Sequence, residues 1–477
     1  MKQKIAWSWQ NAENMFLVLF FLTFTFNIRK VFLTPFSYLN GGFNEYTTIF
    51  FAWTDVLMIS TILIYTTKYL LRQFRERSIE IFSSGNNTTD SSSLSFPLNV
   101  SRETFILLIC LAWSGLSIFW SPFQAIAIYR FIGLLEIAIF TYITIKALKI
   151  DVWRKFILLA IIIDAIFQSI LAIIQFILNR SLGLHILGES LVSPSVDGTA
   201  KLVIDGGKHI RAYGTMPHPN ILAGFLLIVL FFLIAASIYR YKKVSHETPF
   251  DFVPGWILYG ALSIVGIGYI LTFSRSAFLG LIVGLAAFVA LQTSLGSFIE
   301  IIKRNTKLLR RAIVVLILAT IVLITKTSLF SSQSLQERNR YQNVSYETIL
   351  NHPLRGIGIG QTVIKTYYAH PNFENWQYQP VHNIYLLIFG ELGIIGFILF
   401  SLYIILIVLN MCREEGKISN LTRGVFCGLV LSSLIISFFD HYFWDIKLGT
   451  IILVLPFIFC AESLRICRNR KLLDRYL

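Results

Sequence analysis

The sequence predicts an all-α protein, a polytopic membrane bundle of about 12 transmembrane helices with a large outer-face loop before span 10. Three observations lead there. The first is composition. Of 477 residues, 55% are hydrophobic and only 14% charged, with a mean hydropathy of +0.67, where a soluble chain carries about 25% charged residues. An aqueous core of this size cannot bury so much apolar surface, and 15% aromatics exclude a disordered chain. The second is a set of twelve apolar runs near the length that a bilayer core of about 30 Å demands. The third is the placement of the positive charge, which follows the alternation of the runs.

The runs are roughly 14–33, 48–66, 104–120, 125–145, 156–178, 219–239, 254–273, 276–293, 312–329, 383–411, 424–440 and 447–463. Two of the separations are short polar breaks, Trp120-Ser121-Pro122 and Ser274-Arg275-Ser276. With both termini cytoplasmic, the inner segments hold Lys68/Arg72/Arg75/Arg77, Lys146/Lys149/Arg154/Lys155, Arg240/Lys242/Lys243, Lys303/Arg304/Lys307/Arg310/Arg311 and the basic tail 465–475. The net charge of +15 is therefore mostly topological, and no nucleic-acid partner is expected. Arg29 and Lys30 violate the pattern. Either they bind an anion or the first run ends earlier than hydropathy says.

The whole of 1–477 reads as a single integral membrane domain. Residues 78–103 form a cytoplasmic low-complexity linker, rich in Ser, Asn and Thr and without chemistry. Two outer loops are long, 179–218 and 330–382. Within the second, Leu335, Tyr341, Val344 and Ile349 fall near one helical face, the pattern of an amphipathic helix at a membrane surface. The first apolar run lacks a small-residue cleavage site and reads as a retained helix. The five cysteines form no CxxC pair and no Cys/His cluster with metal-ligand spacing, so neither a metal site nor a disulfide framework is expected.

Polar residues that persist at helix ends on one side of a membrane are functional candidates, and four clusters stand on the outer side. Arg211-Ala-Tyr-Gly-Thr-Met-Pro-His218-Pro-Asn220 opens the sixth run, where free N–H groups favour an anion and where His218 and Asn220 could equally cap the backbone. Thr272-Phe-Ser-Arg275-Ser276 puts an arginine between two apolar runs. It either clamps an anion through its planar fork or snorkels to the interface. His352-Pro-Leu-Arg355-Gly-Ile-Gly-Ile-Gly360 is either a backbone anion cradle or a flexible turn. His382-Asn383-Ile-Tyr385, leading to Glu391 and Gly393, places a histidine at a helix mouth, where a neutral imidazole can take a proton from a hydroxyl. Glu391 lies roughly 13–14 Å deeper along the helix, too far to orient His382. Asp440-His441, Trp444-Asp445, Asp55 and Arg130 read as packing or ion-pairing groups.

Taken together, Arg-x-x-Gly-Thr-x-x-His-Pro-Asn, Thr-x-Ser-Arg, His-Pro-x-x-Gly-x-Gly and His-Asn-x-Tyr-Leu…Glu-x-Gly resemble, in order, the motifs of the O-antigen ligase/polymerase family of bacterial membrane glycosyltransferases. The resemblance implies a GT-C-like bundle in the bacterial cytoplasmic (inner) membrane. It implies glycan transfer from a polyprenyl-diphosphate carrier to an acceptor hydroxyl on the outer face, with no cofactor and no metal. By motif, Arg211 and Arg275 would bind the donor diphosphate and His382 would be the base. His218, Asn220, Arg338, Arg340, Arg355, Asn383 and Tyr385 would support them. The acceptor stays open among a glycan, a lipid and a protein hydroxyl, and a second lipid-linked glycan would make the protein a polysaccharide polymerase. A transporter or flippase is the reading from another class. It calls for polar groups near the bilayer midplane in both halves of the chain.

Overall fold

The apolar runs fold as helices, but local chemistry that hydropathy does not carry decides where each one stops. The computed structural model describes residues 11–83, 101–204, 206–241, 253–291, 332–413 and 420–458. They form α1 (Ala12–Thr23), α2 (Trp53–Ser83), α3 (Arg102–Leu116), α4 (Gln124–Ala147), α5 (Asp151–Leu178), α6 (Pro219–Tyr241), α7 (Gly255–Leu271), α8 (Arg275–Ala290), α9 (Ser332–Asn351), α10 (Thr362–Ala369), α11 (Ile384–Arg413), α12 (Asn420–Phe439) and α13 (Tyr442–Asp445). A further apolar helix, α14, covers Lys447–Ile458.

The expectation of about 12 transmembrane helices in a GT-C-like bundle is overturned. Among the described residues, five helices are long and apolar enough to cross a membrane: Arg102–Trp120, Gln124–Ala147, Asp151–Leu178, Pro219–Ile238 and Ile384–Asn410. Shorter apolar helical stretches of 10–17 residues, among them Arg423–Phe439 of α12 and Lys447–Ile458, complete the described set. Three of the differences have a physical cause. The run 14–33 stops being helical at Thr23, and Arg29–Phe32 is a strand, so Arg29 and Lys30 mark an early end to the first helix. The run 48–66 begins as a strand, and its helix continues past Lys68 and Arg72. The pair 254–293 is cut at 272–274, leaving helices of 17 and 16 residues, each about 25 Å long. The run 312–329 lies outside the described residues, as do most of the 78–103 linker and the basic segments at 242–243, 303–311 and 465–475.

Nor is the chain all-α. Strands β1 (Arg29–Phe32) and β4 (Ile49–Ala52) pair antiparallel, as do β2 (Tyr38–Leu39) with β3 (Gly42–Phe43) and β5 (Lys201–Ile204) with β6 (Gly207–Ile210). The first two pairs fold 29–52 into a cap. Asn40 Nδ2 donates to the carbonyls of Pro371 (2.8 Å) and Phe373 (2.6 Å), and Asn44 Nδ2 donates to that of Tyr378 (2.9 Å). The cap is thus tied to the second long loop, more than 300 residues away in sequence.

Helix α6 forms the centre. Its span is 89% buried, with Ile221, Leu222, Phe225 and Leu226 fully enclosed, and α5, α7, α8 and α12 pack around it. A helix apolar on every side belongs in such an interior. Its polar first turn, Pro219-Asn220, therefore opens at the middle of one end of the bundle.

Helix α11 is broken at Gly393 (φ 68°, ψ −175°). A break inside an apolar helix frees backbone groups that must find partners. Here the 353–358 loop supplies them. Ile357 N donates to Gly390 O (3.0 Å), Gly358 N to Glu391 O (2.8 Å), and Ile394 N to Pro353 O (2.9 Å). Trp113 Nε1 donates to Leu392 O (2.9 Å). The alternate glycines are thus a latch rather than an anion cradle or a flexible turn, because their neighbouring N–H groups are already used. A Cβ on Gly393 would lie 2.2 Å from Leu354 O. Gly393→Ala should cost about 2–3 kcal/mol of stability, read as a lowered melting temperature of the purified protein. Gly260→Ala, at a position with open space around it, should change little. Equal melting temperatures for the two variants would show that the break is not held as described.

Candidate active site

The site is built on two glutamines of α5 that sequence reading passed over. Gln168 and Gln175 are seven residues apart, two helical turns on one face. Gln168 Oε1 accepts from Thr215 N (2.8 Å), and Gln175 Oε1 accepts from Gly214 N (2.8 Å) and Tyr213 N (3.1 Å). They hold the 211–220 motif in a tight turn at Gly214 (φ 62°), where a Cβ would lie 2.4 Å from Gln168 Oε1. The turn delivers Pro219 to the first position of α6, where its missing N–H costs nothing. His218 Nδ1 accepts from Asn220 N (3.2 Å). A neutral His218 therefore carries its proton on Nε2.

Arg211 reaches from this turn to the second motif. Its Nε donates to Thr272 O (2.7 Å), and its Nη2 donates to Asn220 Oδ1. The α7–α8 break that supplies this carbonyl is made by Phe273 in a left-handed conformation (φ 48°), its ring stacked on Phe176 at 5.7 Å. Arg275 then stands exposed as the first residue of α8. Its charge is felt by Arg211 on one side and by Arg338 of α9 on the other. Burial lowers Arg211 to about 10, which leaves it charged at neutral pH.

Asn220 Nδ2 donates to Asp440 Oδ2 (2.6 Å), and Asp440 Oδ1 accepts from His441 N (3.0 Å). His441 Nδ1 lies 2.9 Å from Asp445 Oδ1, its ring 4.7 Å from the His382 ring, edge to face, and 5.5 Å from that of Tyr46. His382 stacks on Tyr341 of α9 at 5.9 Å. A continuous polar chain thus runs Arg211–Asn220–Asp440–His441–Asp445, with His382 set against its middle.

Electrostatics separate the three histidines. Burial, with Arg211 and His441 nearby, drives His218 down to about 3. Burial, then His441, Arg338 and His218, holds His382 well below its ordinary value, and its Nδ1 is buried without a hydrogen-bond partner. Burial also opposes a charge on His441, but the charge and hydrogen bond of Asp445, with Asp440 and Glu45, outweigh it and raise His441. Burial raises Asp440 against the pull of His441, Asn220 and Arg338. One histidine is therefore suited to carry charge, and it lies beside one suited to stay neutral.

Of the residues singled out by sequence, the structure brings Arg211, Arg275, Arg338, His218, Asn220 and His382 to one place. Five others go elsewhere. Arg340 lies over the Phe373 ring (5.3 Å) and Arg355 over Trp120 (5.7 Å). Asn383 Oδ1 caps α11 by accepting from Leu386 N (3.1 Å), and Tyr385 donates to Leu434 O (3.0 Å). Glu391 accepts from Thr362 Oγ1 (3.0 Å) and Trp444 Nε1 (2.9 Å). Asp440, His441 and Asp445, expected as packing or ion-pairing groups, do pair with one another and with Asn220. Their contact with His382 was not expected, although a His and an Asp four residues apart, one turn of helix, directly follow an apolar run.

A membrane-associated helical protein with arginines and histidines gathered at one end of its bundle is the class these features define. Residues 260–401 match the family model described as O-antigen ligase. The match takes in the Thr272–Ser276, His352–Gly360 and His382–Gly393 motifs, and it supports an O-antigen ligase-like family assignment. Nothing among the curated proteins matches the chain.

His218 has a measurable consequence. Its folded value of about 3 lies under the free imidazole value of about 6.5, so the unfolded chain binds the proton more readily between those values. His218 should therefore cost the folded state stability as pH falls from about 6.5 toward 3. His218→Gln should remove that loss, seen as a flatter melting temperature against pH on the acid side. Identical acid slopes would show that His218 is not buried as a neutral group.

Proposed function

We propose that this protein transfers a glycan from a polyprenyl-diphosphate carrier to an acceptor hydroxyl, on the outer face of a bacterial cytoplasmic membrane that it crosses several times with both termini inside. The observation that carries this reading is the polar chain Arg211–Asn220–Asp440–His441, with His382 packed edge to face on His441 and Arg338 close by. The match to the O-antigen ligase family supports a glycan-transfer function in general.

The chemistry follows from the charges. The acceptor oxygen attacks the anomeric carbon of the donor sugar, the bond from that carbon to the diphosphate oxygen breaks, and the diphosphate leaves with the electron pair. A diphosphate leaving group needs its growing negative charge neutralised more than it needs a proton. Preorganised guanidinium groups in a site shielded from water do this well, and they do it without a metal. Arg211 is fixed in place by Thr272 and Asn220, so little reorganisation remains for it. The acceptor hydroxyl gives its proton to His382. Burial, and then the positive charge of His441 and Arg338, keeps His382 neutral. A bound diphosphate offsets that charge and makes the imidazole a stronger base as the donor arrives. His441, held by Asp445 and Asp440, lies against His382 and stabilises its orientation. A single displacement inverts the anomeric centre.

His382→Ala should lower transfer by about 10²–10⁴-fold while donor binding persists. Arg275→Ala should weaken donor binding as well as turnover. The measurement is product formation from a lipid-diphosphate-linked glycan, with product mass and anomeric configuration read for glycan, lipid and protein acceptors. Full activity in both variants defeats the site assignment. A retained anomer defeats the single displacement, and activity lost to a chelator defeats the metal-free step.

A further inference from the structure

Glu391 lies too deep along α11 to touch His382, but its carboxylate reaches a different part of the site. The residue is buried. Its Oε1 accepts from Thr362 Oγ1 (3.0 Å) of α10, and its Oε2 accepts from Trp444 Nε1 (2.9 Å) of α13. Both oxygens are therefore engaged, each by a different element. Trp444 lies between His441 and Asp445, in the four-residue helix α13 whose N-terminal cap position is His441. The carboxylate thus grips the turn that carries His441.

That turn cannot hold itself. A single helical turn fixes several dihedral angles in return for very few hydrogen bonds. Here Trp444 N donates to His441 O (2.9 Å) and Ile446 N to Tyr442 O (3.3 Å). The turn needs anchors from outside. Asp440, bonded to Asn220 at 2.6 Å, fixes its entry. Trp444 fixes the other side, through its bond to Glu391 and through the Phe400 ring, which it meets edge to face at 6.3 Å. An indole has a single N–H, so the bond to Glu391 also sets which way the ring faces. Glu391 belongs to α11, and His382 lies just before Ile384, where α11 begins. The path therefore closes on itself. It runs from His382 along α11 to Glu391, across to Trp444, along α13 to His441, and back to the His382 ring at 4.7 Å. In a closed path of packed contacts, loosening one changes the spacing or angle at another.

We propose that Glu391 is a positioning residue. Held by Thr362, it fixes α13 through Trp444 and so sets the contact of His441 with His382, on which proton removal from the acceptor hydroxyl depends. The catalytic part rests on the transfer reading above, and the geometric part does not. A glutamine at 391 can keep both contacts. Its amide oxygen accepts from the indole, and its amide N–H donates to the Thr362 hydroxyl oxygen. What the residue supplies is therefore position and not charge.

The test uses the full-length protein in lipid nanodiscs. Turnover and donor KM are measured on a lipid-diphosphate-linked glycan, and the histidine rings are followed by NMR of isotope-labelled histidine. His382→Gln and His441→Gln assign the two signals. Trp444→Phe and Glu391→Ala should lower kcat about 10- to 100-fold while donor KM stays within about twofold, and both should shift the His382 and His441 signals. Glu391→Gln should recover most of kcat and the wild-type signals. Trp113→Phe is the control. It removes an indole bond of the same 2.9 Å length, to Leu392 O beside Glu391. It should lower the melting temperature and leave kcat and both signals in place. Trp444→Phe carries the result where Glu391→Ala fails to fold. Equal losses of kcat in Trp444→Phe and Trp113→Phe overturn the proposal. So does a Glu391→Gln protein as inactive as Glu391→Ala, and so do histidine signals that Trp444→Phe leaves unmoved. A wild-type protein that transfers no glycan, with histidine signals that move as stated, removes the transfer reading and keeps Glu391 as the residue that sets the pair.

Discussion

The hydrogen bond between Asn220 and Asp440 (2.6 Å) joins two halves of the site that are 220 residues apart in sequence. Asn220 stands at the mouth of α6 and fixes Arg211 through its Oδ1. Asp440 ends α12 and fixes the turn that carries His441. An amide that accepts from a guanidinium and donates to a carboxylate has both its polar ends used. In a buried setting this sets one orientation for each partner, since any other leaves a charge or an amide unpaired. The positions of Arg211 and His441 are therefore coupled. In the proposed displacement the spacing of a leaving-group clamp and a base must be held closely, and this bond ties Arg211 to His441, the ring against which His382 packs.

Much of this site could be read from sequence because polar residues cannot persist among apolar ones without partners. Arg211, His218, Asn220, Arg275 and His382 each interrupted or bordered an apolar run, and the structure places them together. The groups that escaped notice had looked ordinary. Gln168 and Gln175 sit in the middle of an apolar helix as single polar residues, and nothing local shows that a loop 40 residues later will fold onto them. Asp440, His441 and Asp445 were legible as ion-pairing groups, but not their contact with His382. The glycines of 356–360 suggested an anion cradle or a flexible turn because sequence shows which backbone is permissive, not whether its N–H groups are already taken.

The span count failed for a related reason. Hydropathy records how apolar a stretch is, and the strand Ile49–Ala52 is as apolar as a helix. What separates them is pairing with Arg29–Phe32, a contact that a window along the chain cannot see. The same cap then leans on the second long loop through Asn40 and Asn44. Arg29, read either as an anion-binding group or as the mark of an early span end, thus joins Glu45, Tyr46 and Phe50 in one wall of a cleft.

The broken helix α11 shows why these features belong to one design. Ending the first half of α11 at Gly393 releases carbonyls that the 353–358 loop satisfies, so that loop is drawn against α11. Its continuation through Gly360 passes the stem of Arg130, where a Cβ would lie 2.7 Å from Arg130 Cγ. His382 precedes the same helix, capped one residue later by Asn383. The 353–358 loop and His382 are therefore both tied to α11. Satisfying the backbone at the break and placing the chemistry at the mouth are then one constraint, and the glycines that appear in the motif are the points where that constraint allows no side chain.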